Sequence, residues 1–508
     1  MVYVIDFGSQ YSHLIGRRVR ALGVEATLLP FTAPLSQLKN AKAIILSGGP
    51  SSAYAVGAPS YSKQIFTLGI PVLGVCYGMQ LMAQQLGGKV ERGKKGEYGP
   101  AILKTVRSSR LFVKVPKQSH VWMSHGDIVT KLSAGFSLIA KTNNSPDAAM
   151  ANEKKKLYGI QFHPEVEHTD YGTMILKNFL FTIAKCEKDW NISGKAEEKV
   201  AQIKKTVGDA QVVAAVSGGV DSTVTAALIS RAIGSQLTAI FVNHGLARKN
   251  EPTEVRAILS QLGCRVRYVN AKKQFLSKLR GVTFGEQKRK IIGGEFIKTF
   301  DRAVKQMKSR PTFLAQGTIY SDVIESAAAS SGKTARVIKS HHNVGGLPKH
   351  LKWKLIEPLR DLYKDEVREL GEALGLPRAL VWRQPFPGPG LAIRVAGEVT
   401  PEKLRIVRDA DQIVRDEIQR IKKEDEFYHY FAQVLSQKTV GLTGDERAYA
   451  YPVVVRIITS SDIMTAEWAR LPHEFLARLS WRITNEVKGV TRVLYDITSK
   501  PPATTEWE

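Results

Sequence analysis

Cysteine is scarce in this chain: Cys76, Cys186 and Cys264 are the three it has among 508 residues. They are far apart, odd in number, and form neither a CxxC pair nor a zinc spacing, which excludes a disulfide framework and a structural zinc site. Long apolar runs are missing as well. No stretch of about 18 apolar residues occurs, so no membrane span is expected. The opening residues, Met1 to Gly8, lack a basic segment and a cleavage site; they read as the first strand of a domain rather than a signal peptide. Internal repeats and low-complexity blocks are absent, which excludes solenoids and disordered arrays. These absences point to a cytoplasmic chain of roughly two to four domains.

Acidic residues are short too, 47 against 73 Lys and Arg, for a formal charge of +26. The excess concentrates between Arg265 and Arg310, where 14 basic residues face 3 acidic ones. Such a stretch attracts polyanions. RNA is one candidate; an anionic substrate or a general basic bias is the other. Aromatic residues are sparse there, and neither an RNP-like string nor a helix-turn-helix pattern occurs, so nucleic acid is not the expected partner.

What is present falls into three sections, with boundaries expected at 1–189, 190–383 and 384–508. The first alternates short apolar runs (Val2–Ile5, Ala43–Leu46, Val72–Val75, Tyr158–Phe162) with helical segments, the pattern of an α/β domain. A polar linker running into a helix, Glu187 to Lys205, leads to the second, which holds the buried strands Gln211–Val216 and Ala239–Val242. The third opens on Gln384-Pro385-Phe386-Pro387-Gly388-Pro389-Gly390, which its prolines and glycines make a rigid loop. Helical periodicity resumes at Pro401–Ile421, with strand-like runs at Val453–Ile458 and Arg492–Ile497. The expected fold class is α/β: two doubly wound parallel-sheet domains followed by a smaller α+β domain.

Two turns carry chemistry. In Pro71 to Gln80 a strand ends at Cys76, followed by Tyr77-Gly78 and a helix over Met79–Leu86. A tight turn of this kind exposes the sulfur, and the helix N-terminus favours thiolate over thiol. His163, delivered at the end of a second strand in Gln161-Phe162-His163-Pro164-Glu165, supplies a base, and Glu165 can orient its ring. In the second section, Ser217-Gly218-Gly219-Val220-Asp221-Ser222 lies between a buried strand and a helix. Its glycines let the backbone approach an anion, and the helix start offers unpaired N–H groups. No Gly-Lys-Ser/Thr follows, so it is not a Walker loop. Asp322 and Glu325, at i and i+3, share a face if that stretch is helical, and Lys339 precedes two histidines and a Gly-Gly pair.

The first constellation resembles the class I glutamine amidotransferases, whose triad Cys, His and Glu matches Cys76, His163 and Glu165. Ser47-Gly48-Gly49-Pro50 and Ser124-His125-Gly126-Asp127 match supporting strings. The resemblance implies an oxyanion hole at the N–H groups of Gly49 and Tyr77. The glycine loop resembles that of enzymes splitting ATP into AMP and pyrophosphate. Taken in order, both turns, the Ile338-to-Gly346 segment, the Pro-Gly loop at Gln384–Gly390 and the ending Ser499 to Glu508 resemble the glutamine-hydrolysing GMP synthase family over essentially the whole chain. That resemblance implies the substrates glutamine, ATP and XMP. ATP would sit on Ser217, Gly218, Gly219, Val220, Asp221 and Ser222, with Mg²⁺ as cofactor and Asp221 as a candidate ligand. It also implies an adenylation lid carrying Asp322, Glu325 and Lys339. XMP contacts would come from Gln384, Pro385, Gly388, Lys500, Thr505 and Glu506, and the third section would form a homodimer.

Four positions depart from the family pattern: Asn243 and Ala450 stand where Asp is common, and Phe284-Gly285 where Asp-Pro is usual. Other readings of the same residues are a different ATP-dependent synthetase, such as an NAD synthetase or a tRNA thiolation enzyme, and an amidase that has lost its synthetase.

Overall fold

The computed structural model describes residues 1–9, 11–323, 353–421, 426–443, 446–460 and 465–508. The chain divides into two compact units, Met1–Asn191 and Ile192–Glu508.

The first unit is built on a nine-stranded sheet: β1 (Val2–Asp6), β2 (Ala26–Pro30), β3 (Ala43–Leu46), β4 (Val72–Val75), β5 (Lys89–Thr105), β6 (Gln118–Lys131), β7 (Ser137–Lys141), β8 (Ala149–Asn152) and β9 (Leu157–Ile160). Strands β3 and β4 are continuous apolar runs buried along their length, as central parallel strands covered on both faces must be. The order is β2-β1-β3-β4-β9-β8-β7-β5-β6. The first five are parallel; the other four extend the sheet antiparallel, so it is doubly wound on one side only. Because β4 lies beside β9, with Val75 opposite Ile160, the turns after these strands open side by side at their carboxyl ends.

The second unit begins with a five-stranded parallel sheet: β10 (Val212–Ala215), β11 (Leu237–Asn243), β12 (Arg265–Asn270), β13 (Phe313–Ala315) and β14 (Lys354–Ile356), ordered β12-β11-β10-β13-β14. The strand order reverses between β10 and β13, where open α/β sheets leave a crevice for ligands. A mostly antiparallel sheet follows: β15 (His429–Val434), β16 (Thr439–Thr443), β17 (Glu446–Thr459), β18 (Glu467–Trp468) and β19 (Val490–Tyr495), with β19 parallel to β17. The Pro401–Arg420 helix packs on β15. Its start is fixed by Pro401 in the first turn and by the Thr400 hydroxyl, which accepts from the Lys403 N–H at 3.3 Å. One hydrophobic core joins both sheets, running from Val213, Ile240 and Leu314 through Leu391 and Val407 to Val434, Val455 and Leu479. Among the described residues no helix is long and apolar enough to cross a membrane.

Candidate active sites

The sulfur site begins with backbone crowding. Gly74 and Gly78 flank Cys76, and a Cβ on Gly74 would lie 2.6 Å from the Gly78 carbonyl; one on Gly78 would collide with the Leu46 carbonyl. Only glycine fits either position. The tight turn forces Cys76 to φ 51°, ψ −107°, an unusual conformation for a residue with a side chain. It is held by Cys76 N–H donating to Ile160 O at 2.8 Å and Gly78 N–H to Ser47 O at 3.0 Å. The helix Tyr77–Gln85 starts at once, so the Tyr77 N–H has no acceptor within its own helix. Gly49 lies against the same residue: a Cβ there would be 3.1 Å from Tyr77 Cγ. The two expected oxyanion donors therefore belong to one packed corner.

His163 is buried, with Nδ1 2.7 Å from Glu165 Oε1. Its backbone is fixed on both sides: His163 N–H donates to Trp122 O at 3.0 Å, and the Thr169 hydroxyl donates to His163 O at 2.6 Å. Burial works against a charged imidazole. The Glu165 carboxylate and the hydrogen bond shared with the Cys76 sulfur outweigh it and hold His163 well above its ordinary value. Cys76, His163 and Glu165 thus come together as the sequence suggests.

Four further residues reach this centre. Gln161 Nε2 lies 3.5 Å from the Cys76 sulfur, and the Ser124 carbonyl 3.7 Å from it. Gln80 donates to Asp127 O at 2.8 Å and to Gln161 Oε1 at 3.2 Å. Glu97, buried opposite His125 in the β5–β6 register, accepts from Ser145 at 2.6 Å and Thr142 at 2.8 Å. Gln161 had one signal in the sequence: it stands two residues before His163, at the end of the run read as a strand.

In the second unit the loop after β10 takes the expected form. Gly218 has φ 85°, and a Cβ there would sit 2.5 Å from a Val255 methyl. Gly219 caps the helix Val220–Ile233, its N–H on Ser217 Oγ at 3.2 Å, while Ser222 and Thr223 hydroxyls donate to Gly219 O at 3.1 and 2.9 Å. Gly317, which follows β13, closes the opposite wall; a Cβ there would be 3.0 Å from the Asp221 backbone. Backbone donors, a helix start and hydroxyls around a glycine hollow fit the phosphates of ATP. Two cations that the sequence did not single out border the loop. Lys364 Nζ lies 2.6 and 2.7 Å from the two Asp221 oxygens, and Arg383, paired with Glu251 at 3.4 Å, stands beside Gly218.

Asp221 is therefore engaged by a lysine, and among the described residues no three His, Cys, Asp or Glu side chains gather as a metal cage. Among the described residues no Mg²⁺ site is preformed by side chains alone. A single carboxylate beside bound phosphates is nonetheless how Mg²⁺ commonly enters ATP sites. Asp322 accepts from the Ile319 N–H at 3.0 Å; Glu325 and Lys339 lie outside the described residues.

The residues expected near XMP are distributed differently. Gln384 is buried and spends its amide on the Tyr430 backbone, donating at 2.8 Å and accepting at 2.9 Å. The Pro385 carbonyl accepts from Arg248 at 3.1 Å, and Gly388 has open space around it. Lys500 pairs its backbone with Ala466. The Thr505 carbonyl accepts from Arg456, a fully buried arginine whose other donors reach Asp496, Thr498 O and Thr504 O. Glu506 is held by Arg394 through two contacts at 3.0 and 3.2 Å and by His429 at 3.2 Å; Asp411 takes the third Arg394 nitrogen at 3.1 Å. Of the departing positions, Asn243 is buried, accepts from the Gly245 N–H at 3.1 Å and donates to the Tyr268 hydroxyl. Gly285 gives room to Glu508, whose Cβ would be 2.7 Å from an added methyl, and Ala450 is buried opposite Thr439.

Residues 3–183 match the class-I glutamine amidotransferase family, residues 192–290 the PP-loop domain, and residues 416–507 the GMP synthase C-terminal domain. A glutamine-hydrolysing GMP synthase of Clostridium novyi (strain NT) is 53% identical over 511 residues, covering 100% of this chain and 99% of that protein. One from Bacillus cereus (strain ATCC 10987 / NRS 248) is 52% identical over 510 residues, with coverage of 100% and 99%.

Proposed function

Since the chain belongs to the glutamine-hydrolysing GMP synthase family, which aminates XMP to GMP at the expense of ATP, we propose that its two centres divide that reaction between the residues described above. Cys76 passes its proton to His163 and attacks the glutamine carboxamide carbon. The developing oxyanion faces the N–H groups of Gly49 and Tyr77. His163 returns the proton to departing ammonia, and water attack on the thioester releases glutamate. In the second unit the Ser217–Ser222 loop holds the ATP phosphates. The C2 oxygen of XMP attacks the α-phosphorus, pyrophosphate leaves, and ammonia displaces AMP. Lys364 and Arg383 balance the phosphate charge. Mg²⁺ would neutralise the same phosphates when bound, with Asp221 as the chain's candidate ligand.

What carries this reading is the 2.7 Å contact between His163 and Glu165, at a buried ring that Glu165 and the nearby sulfur of Cys76, itself in a strained turn, hold well above its ordinary value. The test is a paired assay: Mg-ATP and XMP with ammonium should yield AMP and GMP one for one, and glutamine should replace ammonium with equal release of glutamate. AMP without GMP would overturn it.

Lys500, Thr505 and Glu506 contribute to XMP binding as one folded tail rather than through Glu506 itself, whose carboxylate is taken by Arg394 and His429. The segment 384–508 is a smaller α+β layer built on β15 to β19. Its outer face supports a homodimer: Val440 and Leu442 on β16 and Tyr449 on β17 form an exposed apolar strip, 48%, 74% and 67% accessible. Sedimentation at twice the chain mass, lost in Leu442→Asp, checks this; a wild-type monomer overturns it. Free Cys76, Cys186 and Cys264 suit the reducing cytoplasm.

Asn243 ends the strand beside β10. Aspartate there would keep the Gly245 contact and accept from the Tyr268 hydroxyl instead of donating to it. Asn243→Asp is expected to raise pyrophosphate release and leave glutaminase turnover unchanged. Unchanged pyrophosphate release would show that the asparagine is not limiting.

A further inference from the structure

The Cys76 sulfur sits in a buried pocket where its contacts change meaning as it reacts. In the resting thiol, S–H can donate to the Ser124 carbonyl at 3.7 Å. Once the proton has passed to His163, that carbonyl becomes a repulsive neighbour of a thiolate. A compensating donor is then needed, and the Gln161 amide, 3.5 Å from the sulfur, is the side-chain amide positioned to give it.

The orientation of that amide is over-determined. Gln80 has two N–H groups. One goes to Asp127 O at 2.8 Å and the other to Gln161 Oε1 at 3.2 Å. With its oxygen facing Gln80, Gln161 must turn its NH₂ toward the sulfur. The Asp127 carbonyl is in turn met by His125 Nδ1 at 3.0 Å, so both its lone pairs are used. His125 Nε2 lies 3.3 Å from Glu97, which also accepts from Ser145 and Thr142. Burial pushes the Glu97 carboxyl up, but these donors prevail and keep it below its ordinary value, so a fixed negative charge ends the chain. Gln80, His125, Gln161 and Glu97 are all more than nine-tenths buried. The bulge that aims Glu97 inward is visible in the strand register, where pairing jumps from Arg92–Asp127 to Glu97–His125.

We propose that Gln161 is a further catalytic group of the glutaminase centre, its amide N–H stabilising the Cys76 thiolate, and that Gln80, His125 and Glu97 are positioning residues that lock this amide in its donating orientation. The inference rests on Cys76 being the nucleophile, and it adds a donor to the sulfur rather than to the oxyanion.

The test uses the full-length protein with two variants, Gln161→Met, which removes the donor, and the near-isosteric Gln161→Glu, which sets a carboxylate against the sulfur. Three quantities are read: steady-state glutaminase kinetics, alkylation of Cys76 by iodoacetamide across pH, followed on the Cys76 peptide by mass spectrometry, and ammonium-driven GMP synthesis. For Gln161→Met the expectation is a kcat lower by about tenfold with KM within about twofold, because a hydrogen bond to a charged group is lost. The alkylation profile should move toward alkaline pH, and further in Gln161→Glu. Ammonium-driven synthesis should stay at the wild-type level. If Gln161→Met fails to accumulate, Gln161→Glu carries the test alone. Wild-type alkylation profiles in the folded variants overturn the proposal, as does a parallel loss of ammonium-driven synthesis, which would make the amide a structural support. If Cys76→Ala itself retains glutamine turnover, the nucleophile assignment has failed and this inference falls with it. If Cys76→Ala is dead and the Gln161 variants behave as wild type, this inference alone fails.

Discussion

Cys76→Ala is expected to lower glutamine-dependent GMP formation by more than about 10⁴-fold, because no other group takes over the covalent step. Ammonium-driven formation should stay within about twofold of wild type. The contrast follows from the architecture. Cys76 is built on the unit Met1–Asn191 and the Ser217–Ser222 loop on the unit Ile192–Glu508, so the substitution alters the framework of the first alone. Alanine also keeps the backbone demand of the site. The turn is held by glycines on either side and by the Ile160 and Ser47 carbonyls, not by the sulfur. Parallel assays with glutamine and with ammonium at one XMP concentration measure both arms. Loss of both activities would make Cys76 structural; survival of the glutamine reaction would remove it from the chemistry.

The second large effect concerns stability. Glu506→Gln is expected to cost about 3 kcal/mol, because Arg394 is fully buried and would keep its charge after losing one of its two carboxylate partners. For a unit of this size that is roughly a 4 °C fall in its unfolding midpoint, measurable by calorimetry. The pH dependence has a definite sign. Burial pushes the Glu506 carboxyl up, but Arg394 and His429 dominate and hold it far below its ordinary value. The stabilisation is therefore complete above the ordinary carboxylate range and is lost as pH falls through that range toward the depressed folded value. The gap between wild type and variant should be constant near neutral pH and close on acidification. A gap that widens in acid, or none at pH 7, contradicts the pairing.

Much of both centres was legible because glycine is legible. Gly74, Gly78, Gly218 and Gly219 stand where an added carbon would strike backbone or a packed methyl, or where the strand must turn into a helix, and such positions announce themselves in one dimension. The His163–Glu165 pair was readable because the two residues are held close by the short turn at Pro164 just after β9. The long β5–β6 hairpin was not: the bulge between Arg92 and Glu97 interrupts the alternation a strand normally shows. Partners far apart in sequence were equally hidden. Lys364 meets Asp221 across 143 positions, and Arg394 meets Glu506 across 112. Charged residues in isolation read as solvated surface, so nothing local marked Arg394, Arg456 or Lys288 as buried. Gln384, Thr505 and Glu506 were legible as belonging to one region; that their polar groups tie the chain to itself required three dimensions.

The core that joins both sheets of the second unit restricts how such a protein can be rearranged. A seam after Asn191 leaves intact hydrophobic clusters on either side, whereas a cut at residue 384 would strip Val213, Ile240 and Leu314 from the partners they share with Leu391, Val407 and Val455. Gene fusion or fission at that seam would therefore keep these core clusters of each unit whole. The synthetase half must be inherited as one indivisible block, and chimaeras spliced at its internal loop would reach the ribosome but not the folded state.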